Sequence, residues 1–184
     1  MTGANDGIGK SSVKLLVKKG AVVIMACRSV DKGEKAKLEL IRDLTSYGKQ
    51  RVDELKKISG LEKGASIDDL KEELGKRLIV KKVDLSSLQS VKYFCESVIR
   101  EFVKLDSCIF NGGVGFVPFK LSVDGLESQI AINYFGHFYM ASLLLPLITA
   151  GDLMDGYSTV SVVSSLSHTR TYPEGVRLNL EDLN

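Results

Sequence analysis

The chain has 184 residues, 44% hydrophobic and 26% charged, with 25 basic against 23 acidic residues. That length can bury a sizeable core, and the composition excludes a disordered or collagen-like chain. A net charge of +2 gives no footprint for nucleic acid or for an acidic membrane surface. The three cysteines, Cys27, Cys95 and Cys108, lie in apolar segments. They read as reduced core thiols, which points to a cytosolic setting. None is spaced for metal, the only histidines are His137 and His168, and no metal site is expected.

The chain opens on T-G-A-N-D-G-I-G, Thr2 to Gly9. Such a glycine run bends the backbone tightly and lets a phosphate approach N–H groups at a helix start. It normally follows a buried strand. Only Met1 precedes it here, so the first strand is expected to be absent and the domain incomplete. Ile8, Val13, Leu16 and Val17 make one stripe, predicting a helix from about Ile8 to Lys19 ended by Gly20. Ala21 to Cys27 is a continuous apolar run, as in a parallel strand covered on both faces. Ala36, Leu40, Ile41 and Leu44 mark the next helix.

Residues 46–77 are charged and interrupted by Gly48, Gly60, Gly64 and Gly75. Two amphipathic pieces stand out, Val52/Leu55/Ile58 and Ile67/Leu70/Leu74, the second behind a Ser66/Asp69 capping pair. The segment reads as a helical insertion on the surface, solvated and without a function of its own. Leu78 to Val83 is a strand ending at Asp84. Ser87 caps a helix carrying Val91, Phe94, Cys95, Val98 and Phe102. Ser107 to Phe110 is a strand running into Asn111-Gly112-Gly113. A long helix, about Gly125 to Leu147, follows, and Thr159 to Val163 is a strand ending at Ser164-Ser165. The longest apolar stretch, Phe138 to Ile148, is too short to span a bilayer, so no membrane segment is expected in this chain. An anchor upstream of Met1 stays open.

Alternating strands and helices predict an α/β fold, a Rossmann-like doubly wound parallel sheet, as one domain over 1–184. Ligands of such sheets bind beyond the carboxyl ends of strands. The glycine turn, Arg28, Asp84, Asn111 and Ser165 all fall at those ends. Two phosphate motifs compete for the opening. Ala4 to Ser11 is one substitution from a P-loop, but the strand before Asp84 carries Lys81 and Lys82, which spoils the Mg²⁺-holding strand a P-loop needs. The dinucleotide turn instead asks for a discriminating residue about 20 positions on. Arg28 stands 19 residues after Gly9, and its cation suits a 2′-phosphate, favouring NADP, with NAD the alternative.

The motifs T-G-A-N-D-G-I-G-K, A-C-R-S, V-D-L-S-S, N-G-G-V, D-G-L-E-S-Q-I-A-I-N-Y-F-G-H-F and V-S-V-V-S-S-L-S-H follow one another in this order. With them the chain resembles the short-chain dehydrogenase/reductase family, nearest its retinol-dehydrogenase-like and WW-domain-oxidoreductase-like group. The resemblance implies an NADP-preferring oxidoreductase acting on an alcohol/carbonyl pair, with a lipophilic small-molecule substrate. It implies that Gly3, Gly7 and Gly9 form the phosphate turn, with Asn5 beside it and Ile8 packing below. Arg28 and Ser29 would face the 2′-phosphate. Asp84 would accept from the adenine amino group, with Leu85 against the ring. Asn111, Gly112 and Gly113 match the turn beside the cofactor. Asn133 matches the helix Asn that holds a water in the proton relay, and Ser165 the Ser that hydrogen-bonds the substrate oxygen, with Ser164 its rival. A homodimer, built through helices that include the long one near Asn133, and a place in the cytoplasm or on the cytosolic face of a membrane are further expectations.

The chain also departs from the family pattern. Its six tyrosines are Tyr47, Tyr93, Tyr134, Tyr139, Tyr157 and Tyr172, and none has Lys four residues later. The Tyr–Lys pair supplies the family's general acid/base. Phe110 and Gly112 stand where the family's turn has Asn and Ala, and the 46–77 insertion is longer than this group usually shows. The 184 residues are therefore expected to be a fragment with little activity of its own. The rival readings are a truncated, non-catalytic nucleotide- or partner-binding protein and, more remotely, a P-loop hydrolase.

Overall fold

A computed structural model describes residues 1–46, 48–62 and 64–166. The backbone divides into two compact units, one running from Met1 to Val83 and one beginning at Asp84. The fold is α/β with parallel strands. The described strands form two-stranded parallel sheets, one in each unit, part of the Rossmann-like fold expected.

The first unit holds α1 (Gly7–Lys18), β1 (Val23–Cys27), α2 (Val30–Thr45), α3 (Lys49–Ile58), α4 (Ile67–Arg77) and β2 (Leu78–Lys82). Its two strands pair in parallel with Val23 opposite Leu78 and Cys27 opposite Lys82. One edge of β1 is partly occupied by the start of the chain. Thr2 bridges Ala26, Ala26 N donates to Met1 O at 3.0 Å, and Gly3 N donates to Ala26 O at 3.1 Å. This stub, with Thr2 buried, holds the glycine turn at the end of β1. On α2, a Cβ at Gly33 would lie 2.6 Å from Val80 Cγ1, so the helix rests directly on β2. Two cross-helix ion pairs join α1 to α2, Lys10 with Glu39 and Lys14 with Asp43.

The insertion differs from its expected solvated character. The Ser66/Asp69 pair forms a complete capping box, as its spacing predicts. But Val52, Leu55, Leu70 and Leu74 belong to the same buried cluster as Val13 and Val17 of α1, Met25 of β1, and Leu40 and Leu44 of α2. Arg77, at the end of α4, donates from Nη1 to Gly20 O at 2.7 Å. Charged outer faces conceal a second apolar layer that α2 alone would leave open.

The second unit holds α5 (Leu88–Glu101), β3 (Ser107–Phe110), α6 (Ser128–Ile130), a π-helical turn (Ala131–Phe135), α7 (Gly136–Asp155) and β4 (Thr159–Val162). Its strands pair in parallel, Ser107 opposite Thr159 and Phe110 opposite Val162. All four residues of β4 are exposed. The helix expected over Gly125–Leu147 starts later, carries a π-turn, and runs on to Asp155, where Gly156 takes a φ of 87°. Pro146 does not end it. Proline denies a hydrogen bond to the carbonyl four residues back, and that residue, Ser142, is exposed, so water can serve the carbonyl.

Length and composition make Ser128–Met154 long and apolar enough to cross a bilayer, with a mean hydropathy of 1.3. The helix packs on α5 and β3, burying Met140, Leu144 and Leu147.

Cys27, Cys95 and Cys108 are buried and free. Burial pushes the Cys27 thiol up to about 11 and the Cys95 thiol to about 12, and raises Cys108. Because the thiolate is the reactive form, all three are expected to resist an aromatic disulfide reagent at pH 8 and to react together on unfolding. Rapid labelling of any one in the folded protein would contradict this packing.

Candidate functional site

The predicted site residues fall into two sets, one in each unit. In the first, Asp6 caps α1, its carboxylate accepting from Gly7 N at 2.8 Å. Gly3 and Gly7 adopt φ of 61° and 51°, a region that costs a side-chain-bearing residue on the order of 1 kcal/mol or more. A Cβ on Gly7 would meet nothing within 4 Å. Glycine is thus required there by backbone shape, and the space over the helix start is open. Gly9 is buried in the first turn of α1, while Asn5 is half-buried. The first N–H groups of a helix have no intrahelical acceptor and carry its positive end, so the turn suits a phosphate. Ile8 departs from its expected place below the turn: it is exposed.

Arg28 follows β1 directly and is exposed, with no ion-pair partner among the described residues. Ser29 caps α2, its hydroxyl accepting from Lys32 N at 3.3 Å. Lys10, the lysine a P-loop would aim at phosphate, is instead engaged with Glu39, whose carboxyl it holds below the usual range by hydrogen bonding.

In the second unit, Asp84 Oδ1 accepts from Ser86 N at 2.9 Å and from Ser86 Oγ at 2.7 Å, while Asp84 N donates to Ser90 Oγ at 2.9 Å. One carboxylate oxygen is thereby committed to a local turn. Half-buried Leu85 presents its carbonyl to α7, where a Cβ on Gly136 would come within 2.5 Å of it. The β3–β4 pairing continues one residue past β4, Val163 N donating to Phe110 O at 2.9 Å. That register sets Asn111-Gly112-Gly113 beside Ser164 and Ser165 at the shared carboxyl ends. Both serines are exposed.

Asn133 lies inside the π-turn. π-Turns within α-helices often mark functional positions. Its Oδ1 accepts from Val114 N at 2.9 Å and its Nδ2 donates to Val114 O at 2.8 Å. The amide therefore pairs with the loop backbone as a neighbouring strand would, and fixes the loop after Gly113. Gly113 gives the clearance: a Cβ there would sit 3.1 Å from Asn133 Oδ1. His137, one turn on, is buried with Nδ1 3.3 Å from Asn133 O and its ring 5.2 Å from that of Phe110. Burial draws its pKa below the usual value, against the pull of the Asn133 carbonyl. Sequence reasoning reaches Asn133 because asparagine is a poor mid-helix residue. It misses Val114 and Gly136, whose partners lie far off in sequence. His168 and Tyr172 lie outside the described residues.

A family model described as short chain dehydrogenase matches residues 57–175. Mouse retinol dehydrogenase 14 (Mus musculus) is 35% identical over 184 residues, covering 100% of this chain and 47% of its own length. A chloroplastic short-chain dehydrogenase, TIC 32 B of Brassica napus, is 34% identical over 177 residues, with 96% of this chain and 46% of the relative covered. The chain spans about half the length of the curated relatives it matches. Among solved structures, an uncharacterised protein of Mycobacterium paratuberculosis superposes with a TM-score of 0.65 at 32% identity, covering 100% of this chain and 49% of that one. An alcohol dehydrogenase of the archaeon Thermococcus sibiricus, complexed with 5-hydroxy-NADP, superposes at 0.62 with 24% identity, over 95% of this chain and 60% of its own. A glycine turn entering α1, a parallel α/β frame, the Asn-bearing helix and these matches along the whole chain lead to one assignment, which also retires the P-loop alternative: the protein belongs to the short-chain dehydrogenase/reductase family, in its retinol-dehydrogenase-like group.

Proposed function

We propose that this chain carries the dinucleotide-binding part, and part of the catalytic set, of an NADP-preferring oxidoreductase acting on a lipophilic alcohol/carbonyl pair. The observation that carries this reading is the left-handed pair Gly3 and Gly7 at the start of α1, followed at the end of β1 by the exposed cation of Arg28. Gly3, Gly7 and Gly9, with Asn5 and Ile8, would serve the phosphates. Arg28 and Ser29 would serve a 2′-phosphate. Asp84, through the oxygen Ser86 leaves, and Leu85 would serve the adenine. The bound nicotinamide supplies hydride chemistry. Asn111, Gly112 and Gly113 would border the cofactor, Ser165 would hold the substrate oxygen by its hydroxyl, and Asn133 would hold the loop in place and offer its carbonyl to a relay water.

Arginine pairs with phosphate through charge-assisted hydrogen bonds. Arg28→Ala is therefore expected to weaken NADPH binding by about 10- to 100-fold, from roughly 1.5–3 kcal/mol per such bond, and to change NADH binding little. Titrating both nucleotides by calorimetry tests this. Equal losses for both would remove the 2′-phosphate role. Loss of neither would remove the reading.

A second reading is that these 184 residues bind nucleotide without turnover. It rests on the absence of any Tyr-x-x-x-Lys; losing a proton donor typically costs about 10²- to 10⁴-fold in rate. NADPH oxidation across a carbonyl panel separates the two. The exposed Tyr134, Phe138 and Leu145 of the long helix suit a homodimer contact, and the buried free thiols suit a reducing, cytosolic-side location.

A further inference from the structure

The second unit buries one polar ring that the proposed chemistry leaves unused. His137 is 6% exposed and shares the buried face of α7 with Met140, Leu144 and Leu147. An apolar side chain in that stripe would pack without any hydrogen-bonding cost, whereas a buried polar group costs free energy unless it is bonded. The ring has such a bond. Its Nδ1 lies 3.3 Å from Asn133 O, one helical turn back. A carbonyl oxygen only accepts, so the proton of the neutral ring sits on Nδ1. Burial lowers the pKa of the ring, which is therefore neutral at pH 7.

This bond reaches the residue that clasps the loop after Gly113. The Asn133 side-chain amide holds Val114 at both its N–H and its carbonyl. The imidazole is itself seated on buried Phe110, ring to ring at 5.2 Å. Phe110 ends β3 directly before Asn111 and accepts from Val163 N. One ring thus touches the strand that delivers the loop and the π-turn that fixes it. We propose that His137 is a positioning residue: its Nδ1–H holds the Asn133 main chain, and through it the clasp on Val114, in the geometry the site uses. The consequence for the cofactor rests on the nucleotide reading above. Hydride transfer needs the nicotinamide beside the substrate oxygen that Ser165 would hold, and Ser165 shares the strand ends with residues 111–113.

Two substitutions separate the bond from the ring contact. Side-chain hydroxyls in this chain already donate to helix carbonyls four residues back, Ser142 Oγ to Phe138 O and Thr45 Oγ1 to Ile41 O, both at 2.9 Å. His137→Thr therefore keeps a donor for Asn133 O and loses the ring. His137→Phe keeps a ring against Phe110 and loses the donor. In the 184-residue chain, nitrogen NMR of the imidazoles is expected to show one histidine as the neutral Nδ1–H tautomer at pH 7. Its absence from His137→Phe assigns it, since His168 is the only other histidine. The Val114 amide is expected to exchange with deuterium about 3- to 10-fold faster in His137→Phe, the worth of one neutral hydrogen bond. In His137→Thr it is expected to exchange at close to the parent rate. By calorimetry, NADPH affinity should follow the same order, while 2′,5′-ADP, which has no nicotinamide, should bind all three proteins alike. An Nε2–H tautomer in the parent overturns the proposal. So does His137→Thr exchanging at Val114 as fast as His137→Phe, which would leave ring packing as the only part His137 plays. A parent that binds no NADPH would count against the nucleotide reading, and the tautomer and the Val114 exchange would still decide the role of His137.

Discussion

Leu74→Ala in α4 is expected to destabilise the protein by about 2–5 kcal/mol, the range for deleting a fully buried leucine side chain. Leu74 is 0% exposed and sits in the cluster that joins α1, β1 and α2 to the insertion. Since whole domains are stable by only about 5–15 kcal/mol, this one truncation takes a large share. Ile67→Ala, on the same helix but 41% exposed, should cost distinctly less. Urea melts of the two variants read the difference. A Leu74→Ala loss below that of Ile67→Ala would return the insertion to the status of a surface decoration.

The second large effect is Gly136→Ala. An added Cβ would lie 2.5 Å from Leu85 O and 3.2 Å from Ala131 O. Both obstacles are main chain, so no rotamer change clears them. Overpacking of this kind costs about 1–3 kcal/mol or more, against a helix-propensity gain of about 1 kcal/mol for alanine over glycine. Destabilisation should win. Gly75→Ala in α4 is the contrasting case, since its Cβ would meet only Ile41 Cδ1, at 4.0 Å. That substitution should be neutral or stabilising, by up to about 1 kcal/mol. Thermal melts of the pair give opposite signs if the close approach of α7 to Leu85 is correct.

These cases mark where sequence reasoning reaches and where it stops. Periodicity and caps locate most helices and the strands among the described residues, because the 3.6-residue stripe and the continuous strand run are local signals; the split into α6, π-turn and α7 is not among them. Ser66/Asp69, Ser87 and the strand at Ser107–Phe110 are found where their residue types predict. Local signals mislead where a partner comes from elsewhere. Leu70 and Leu74 look like one thin stripe on a charged helix until α2 supplies the facing layer. At the site, the left-handed Gly3 and Gly7 follow from glycine's freedom at a tight turn, and Asn133 is conspicuous as a polar break in an apolar helix. The amide's actual hold, on Val114 in a loop 19 residues away, leaves no trace in the pattern.

The π-turn at Ala131–Phe135 has a consequence for how the long helix tolerates insertions and deletions. A π-turn takes up one residue more than an α-turn. Elsewhere in the helix, deleting one residue would rotate everything beyond it by about 100°, swinging Met140, Leu144 and Leu147 off the core. Within 131–135 a one-residue deletion can be absorbed by closing the wide turn to an ordinary α-turn, which leaves the downstream phase intact. The loss would then be confined to the geometry around Asn133, making this turn the one stretch of the helix where chain length and packing are uncoupled.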